Sequence, residues 1–247
     1  MVLPIWLLNC ISIACVLRST EQGTDMLKHI AIAFTLASVV GVAACSPAGA
    51  PGSADKGAEK VAARAERKQA ATDFGVTATP PEGWYVMDTK VTEQLMDAGQ
   101  DVVMNDADAT TKAAMEASIK RTSNIFGYMK FAPGKPVENN ANILAMAENI
   151  GFLPGIERGS DYFFHVRKSF GMTNMDIKVA DGYQIEKIDG RDFDRMDVTL
   201  TMMGRTATQR YYAARHGDSI ICFILSYTTD EDRQTLEKVL QGIKLAW

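Results

Sequence analysis

The chain has 247 residues, 47% hydrophobic and 23% charged, which is a globular composition, neither fibrous nor low-complexity. Its 26 Lys and Arg against 30 Asp and Glu leave a net charge of −4. That argues against a nucleic-acid partner, because a domain that grips phosphate backbones carries a basic excess. Four cysteines are too few to staple a chain of this length, and three histidines leave little room for a histidine-built metal or acid–base site.

The N-terminal part reads as a targeting segment. From Met26, Lys28 supplies a positive charge, residues 30–44 form an apolar run, and Val42-Ala43-Ala44 ends it with small residues before Cys45. A secretory signal needs that order: charge to orient, apolar length to enter the membrane, small residues to fit the peptidase. The run is too short for an ordinary spanning helix. Val42-Ala43-Ala44-Cys45 resembles a bacterial lipobox. The resemblance implies that residues 26–44 are removed, that the Cys45 thiol is diacylated, and that the new N-terminus takes a further acyl chain such as palmitate. Two or three chains anchor stably where one is marginal. The same resemblance implies outer-membrane delivery, because Ser46 stands where an inner-membrane retention signal has Asp. The simpler alternative is ordinary cleavage after Ala44 with Cys45 an accidental thiol. Residues 1–25 carry an apolar stretch broken by Pro4 and Asn9, with no preceding positive charge. They are expected to be a gene-model extension ahead of a true start at Met26, the competing reading being an extra membrane-associated segment.

Residues 45–79 are expected to be the lipidated terminus and linker. Ser46 to Ala54 holds small residues with Pro and Gly, too little apolar surface for a core. Residues 55–71 are rich in Ala, Glu, Lys and Arg without a broad apolar stripe, so they read as a solvated spacer. The globular domain is expected over residues 80–247, opening with Pro80-Pro81-Glu82-Gly83-Trp84. Within it, 19 basic and 24 acidic residues give a net charge of −5.

In chain order, residues 84–87 read as a short strand. Residues 106–122 read as a helix with Thr111, Met115, Ile119 and Thr122 on one face. Strands are expected over residues 125–131 and 142–148, joined by the turn Pro133-Gly134-Lys135-Pro136, and a helix capped by Ser160 over residues 160–170. Residues 196–202 and 206–215 alternate apolar and polar, as half-buried strands do, with Tyr211 and Tyr212 on opposite faces. Residues 219–227 (SIICFILSY) are apolar on both faces and predict a central, covered strand. Short turns make these three an antiparallel meander. Thr229 and Asp232 then form a capping box, and Leu236, Val239, Leu240 and Ile243 follow at helical spacing. Strands and helices do not alternate strictly, so the fold class is α+β, an antiparallel β-sheet flanked by helices.

The opening Gly83-Trp84 and the closing unit of two strands, SIICFILSYTT and the helix EDRQTLEKVLQGIKL resemble the PsbP-like superfamily. That superfamily takes in the photosystem II extrinsic subunit and periplasmic lipoproteins of the DcrB type. The closing match covers roughly residues 183–244. The resemblance implies an α/β/α sandwich and a role in assembly or interaction, with no common active site to carry over.

Chemistry-bearing motifs are sparse. No Gly-x-Ser-x-Gly elbow is present, and Cys222 lies in the most apolar strand, where a cysteine behaves as a small hydrophobe. His165 and His216 have no His-x-x-x-His spacing, so no metal site is expected. Asp189, Asp192, Asp194 and Asp197 are interleaved with Arg191 and Arg195, which fits a salt-bridged sheet surface better than a calcium loop. On the helix over residues 160–170, Phe163, Val166 and Phe170 share a core face. Tyr162, Phe164, His165, Arg167 and Lys168 form either an aromatic–basic contact patch or further core packing. No catalytic residue and no cofactor are expected. The function that follows is a lipid-anchored, non-catalytic interaction or assembly module facing the periplasm, with the membrane and an envelope protein as partners. The alternative is a lipoprotein that binds a small ligand in a pocket between sheet and helices. An enzyme would have to be built on His165, His216 and scattered carboxylates.

Overall fold

A computed structural model describes residues 73–88, 90–92, 109–135, 137, 139–171, 176–202 and 204–247. The signal segment, the lipobox with Cys45 and the linker to residue 72 lie outside the described residues. Ten strands and three helices are described: β1 (Val76–Thr77), β2 (Tyr85–Val86), α1 (Ala109–Ile119), β3 (Thr122–Met129), β4 (Asn142–Asn149), α2 (Gly159–Phe170), β5 (Asp176–Val179), β6 (Gln184–Ile188), β7 (Arg191–Met202), β8 (Arg205–His216), β9 (Ser219–Tyr227), α3 (Asp230–Gln241) and β10 (Lys244–Leu245). This is an α+β fold, as the mix of periods indicates.

The main sheet is antiparallel, in the order β2-β3-β4-β9-β8-β7-β5, and β6 also pairs with β7. β6 lies along the start of β7 and β5 along its end. The expected meander is β7-β8-β9, turning at Gly204 and at Gly217-Asp218. Gly217 has φ +59, the left-handed conformation that the first position of a type II′ hairpin turn requires. β9 occupies the middle of the sheet, and its eight residues from Ile220 on are all buried. That accounts for its unbroken apolar sequence: both faces are covered.

Two cores result. On one face, Met146, Met196, Tyr211, Cys222 and Ile224 pack against Phe163, Val166 and Phe170 of α2, with Ile119 of α1 partly buried beside them. On the other, Ile143, Phe193, Tyr212, Ile221 and Phe223 pack against Leu236, Val239 and Leu240 of α3. Each large side chain moved from water into such a core contributes about 1.5–3 kcal/mol. Helices on both faces give the α/β/α layering that the family resemblance implied. α3 is capped as expected, with Asp232 N donating to Thr229 Oγ1 at 3.2 Å. The Asp232 carboxylate accepts from the Thr229 hydroxyl at 3.0 Å and from Lys130 Nζ at 2.8 Å, so the cap also ties α3 to the end of β3.

Several boundaries differ from expectation, among them the start of β7, which begins at Arg191 and not at residue 196. The domain does not start at Pro80: β1 pairs with β10, and Val76 is fully buried beside Leu245. α1 ends at Ile119, because Arg121 N bonds back to Ser118 O at 3.0 Å and the chain reverses, so Thr122 opens β3 instead of closing the helix. β3 ends at Met129, and Phe131 lies in the turn, where Asn140 takes both its N–H (2.9 Å) and its carbonyl (2.8 Å) and stands in for a strand neighbour. The N-cap position of α2 is Arg158 and not Ser160, and the capping acceptors are carboxylates: Asp194 takes the Ser160 N–H of the first turn, and Asp161 takes the N–H groups of Glu157 and Arg158.

Candidate functional site

An open cleft of about 460 Å³ lies at the corner of the sheet where the start of α2, the β6–β7 hairpin, the end of β8 and Trp247 meet. Gly159 makes the geometry possible. A Cβ there would come within 2.1 Å of the Ala213 carbonyl, so only glycine lets the first turn of α2 lie directly on β8. Asp194 faces Ala213 across the β7–β8 ladder and is 5% exposed. Its carboxylate accepts from Ser160 N at 2.9 Å, Arg158 Nε at 3.0 Å and Arg158 Nη2 at 2.5 Å. A carboxylate is favoured at this point because the first N–H groups of a helix have no partner within it and carry its positive pole. The Arg158 guanidinium is held above its ordinary range, first by the hydrogen bond to Asp194 and then by that carboxylate's charge.

The other wall is aromatic. The Trp247 ring stacks on His216 at 4.4 Å, contacts Phe193 at 6.3 Å, and carries the Arg191 guanidinium 5.5 Å from its centroid. Arg215 donates to the Ile156 carbonyl at 2.9 Å and to Glu157 at 3.0 Å. Ile185 lines the same cleft and is 57% exposed. Arg158 with Asp194, Arg215 with Glu157 and Lys187 with Asp192 neutralise one another around the opening. No Ser, Thr or Cys is among the lining residues. A second cleft, about 360 Å³, lies on the α3 side among Glu186, Arg195, Arg210 and Glu237. There Arg195 forks onto Asp197 at 2.9 and 2.6 Å and also bonds Glu186, contacts that hold its guanidinium strongly charged.

The residues singled out in the sequence fall into three groups. Tyr162 is not a surface contact: it is fully buried, and its hydroxyl donates to Glu148, a carboxylate only 2% exposed that also accepts from Ser118 Oγ at 2.9 Å. Local helical spacing places Tyr162 off the Phe163 face, but β4 covers that side too. Arg167 is tied to the β5–β6 loop, donating to the Ala180 carbonyl and lying 5.4 Å from the Tyr183 ring centroid. Phe164 (63% exposed), His165 and Lys168 remain on the outer side of α2, with the His165 ring edge-on to Phe164 at 5.5 Å. His165 and His216 thus meet different rings on different elements. The Asp-rich stretch forms the turn and first half of β7, and each of its four carboxylates has a cationic partner. Among the described residues, no three His, Cys, Asp or Glu side chains are grouped to hold a metal. Cys222 is buried, its S–H reaching the Tyr212 carbonyl at 2.6 Å, and burial pushes its pKa up, the opposite of activation.

The cleft residues Ile185, Arg158, Arg215 and Trp247 were missed by sequence reasoning. One signal was available: Asp189-Gly190 between QIEKI and RDFDRM is a two-residue hairpin signature. Nothing local reveals that Trp247 returns to this corner.

No family model matches the chain, and no curated protein matches it. Solved structures show loose likenesses. CyanoP, the PsbP of Synechocystis sp. PCC 6803, aligns at 12% identity over 70% of this chain and 88% of its own, with a TM-score of 0.42. LpqN of Mycobacterium tuberculosis, described as involved in cell envelope biogenesis, aligns at 9% identity over 69% of this chain and 82% of its own, with a TM-score of 0.35. A Pseudomonas aeruginosa protein of unknown function aligns at 14% identity over 42% of this chain and 71% of its own, with a TM-score of 0.34. The roles in those names belong to those proteins.

Proposed function

We propose that this chain is an envelope lipoprotein, anchored through Cys45 at the periplasmic face of the outer membrane, whose folded domain is a non-catalytic interaction module. The observation that carries the reading is the ordered run of Lys28, residues 30–44 and Val42-Ala43-Ala44-Cys45-Ser46 ahead of the folded domain. The character of the main cleft supports the second half: Arg158 and Arg215 are paired with carboxylates, Arg191 lies over Trp247, and the remaining surface is aromatic and aliphatic. Such a surface suits a protein partner. The cleft is open, and so does not supply the enclosed apolar pocket that a small-ligand carrier needs.

The test is Cys45→Ala. Metabolic labelling with an alkyne fatty acid should mark the wild type and not the variant, and the wild type should pellet with membranes while the variant is released or left unprocessed. Equal labelling of both would overturn the anchor. Cross-linking in intact cells should capture a defined envelope protein, and its absence under several cross-linkers would count against the interaction role.

A further inference from the structure

We propose that the outer edge of β6 is an interface for a second copy of this chain, paired antiparallel about Ile185. The proposal goes beyond the anchoring and interaction reading and does not depend on Cys45.

The backbone geometry comes first. Asp189 (φ +45) and Gly190 (φ +82) form the two-residue turn between Ile188 and Arg191. Two positive φ values in succession define a type I′ hairpin, whose closing pair exchanges both hydrogen bonds. In an antiparallel ladder such pairs alternate. Ile188, Glu186 and Gln184 therefore turn their N–H and C=O groups toward β7, while Lys187 and Ile185 turn theirs outward. Among the described residues no strand pairs with that outward side: β5 uses the far half of β7, opposite residues 198–201. An open row of backbone donors and acceptors is a template for another strand.

The side chains select the partner. Ile185, 57% exposed, is the large apolar residue on this edge. Placed opposite Ile185 of a second copy, it makes an aliphatic pair exactly on a two-fold axis, and the outward backbone groups of both chains then face each other. In that register Lys187 stands opposite Tyr183 of the second copy, and Gln184 opposite Glu186, so no like charges meet within β6. Moving the axis to Glu186 sets two carboxylates against each other, and moving it to Lys187 sets two ammonium groups against each other. Moving it to Gln184 sets Ile185 against Tyr183 and Lys187 against Asp181, so the choice of Ile185 as the axis of this isologous contact rests on pairing the two exposed isoleucines with each other.

The experiment uses the full-length protein in detergent, with its mass measured by light scattering across a wide concentration range. The wild type should reach twice the protomer mass. Ile185→Glu and Ile185→Lys should each stay at the protomer mass, and an equimolar mixture of the two should regain the doubled mass by pairing unlike charges. Phe164→Glu, at a comparably exposed site on α2, should dimerise as the wild type does. A readout free of substitutions is hydrogen exchange on the wild type: the amides of Ile185 and Lys187 should slow as concentration rises, with those of Gln184 and Glu186 unchanged. A wild type that stays at protomer mass, dimers that survive Ile185→Glu, or concentration-independent exchange at Ile185 would each overturn the proposal. So would an edge occupied by a different protein on the purified wild type.

Discussion

Glu148 is a carboxylate placed where carboxylates rarely sit, 2% exposed between α1, α2 and β4. Hydroxyl donors from Ser118 and Tyr162 replace the water it gave up. Removing one donor while leaving the acceptor buried costs about 1–3 kcal/mol. Tyr162→Phe should therefore lower the unfolding free energy by that amount, read as a lower urea midpoint at an unchanged m-value. A surface tyrosine would leave the midpoint where it was. The same contact explains why the helix spacing misled at this position. Tyr162 is off the Phe163 face within α2, but the element that buries it arrives from residue 148. No local pattern encodes that meeting.

At the scale of elements, the parts that were legible are those whose signal is contained within them. β8, β9 and residues 196–202 of β7 alternate or run apolar, and their turns carry Gly, whereas the charged residues 191–195 that open β7 gave no period. α3 announces itself by Thr229 and Asp232 ahead of Leu236, Val239 and Leu240. Replacing Thr229 by Ala should cost about 1 kcal/mol. For a domain of this size that is a fall in Tm of about 2–4 °C, measurable by calorimetry. β1 and β10 were illegible for the opposite reason: two residues each cannot express a period, and they exist only because the two stretches find one another. β6 alternates too, but its charged residues merge with the Asp-rich stretch that follows, and its role depends on what lies beside it.

At the scale of the molecule, Asp189 links the β6–β7 turn to the β1–β10 ribbon. Its carboxylate accepts from Leu245 N at 2.9 Å and from Lys244 Nζ at 3.0 Å. The Leu245 N–H, followed by the Lys244 ammonium, holds this carboxyl below the ordinary carboxylate range. A lowered folded pKa means the stabilisation is complete above the unfolded value of about 3.9 and is lost as pH falls through the lower folded value. The Leu245 amide resonance should thus shift in acid below that ordinary range. Asp189→Asn keeps a residue that tolerates positive φ but removes the charge. It should speed hydrogen exchange at Leu245 at neutral pH, and unchanged exchange would sever the link. The strand order carries a further consequence, and it concerns time. β4 and its neighbour β9 are far apart in sequence, ending at residues 149 and 227. A ribosome adding about 5–20 residues per second needs roughly 4–16 s to travel between them. For that interval the β2-β3-β4 portion has been synthesised while the strand it must pair with has not. A nascent chain of this topology therefore carries an open β4 edge until β9 has been made, and the sheet cannot close before then.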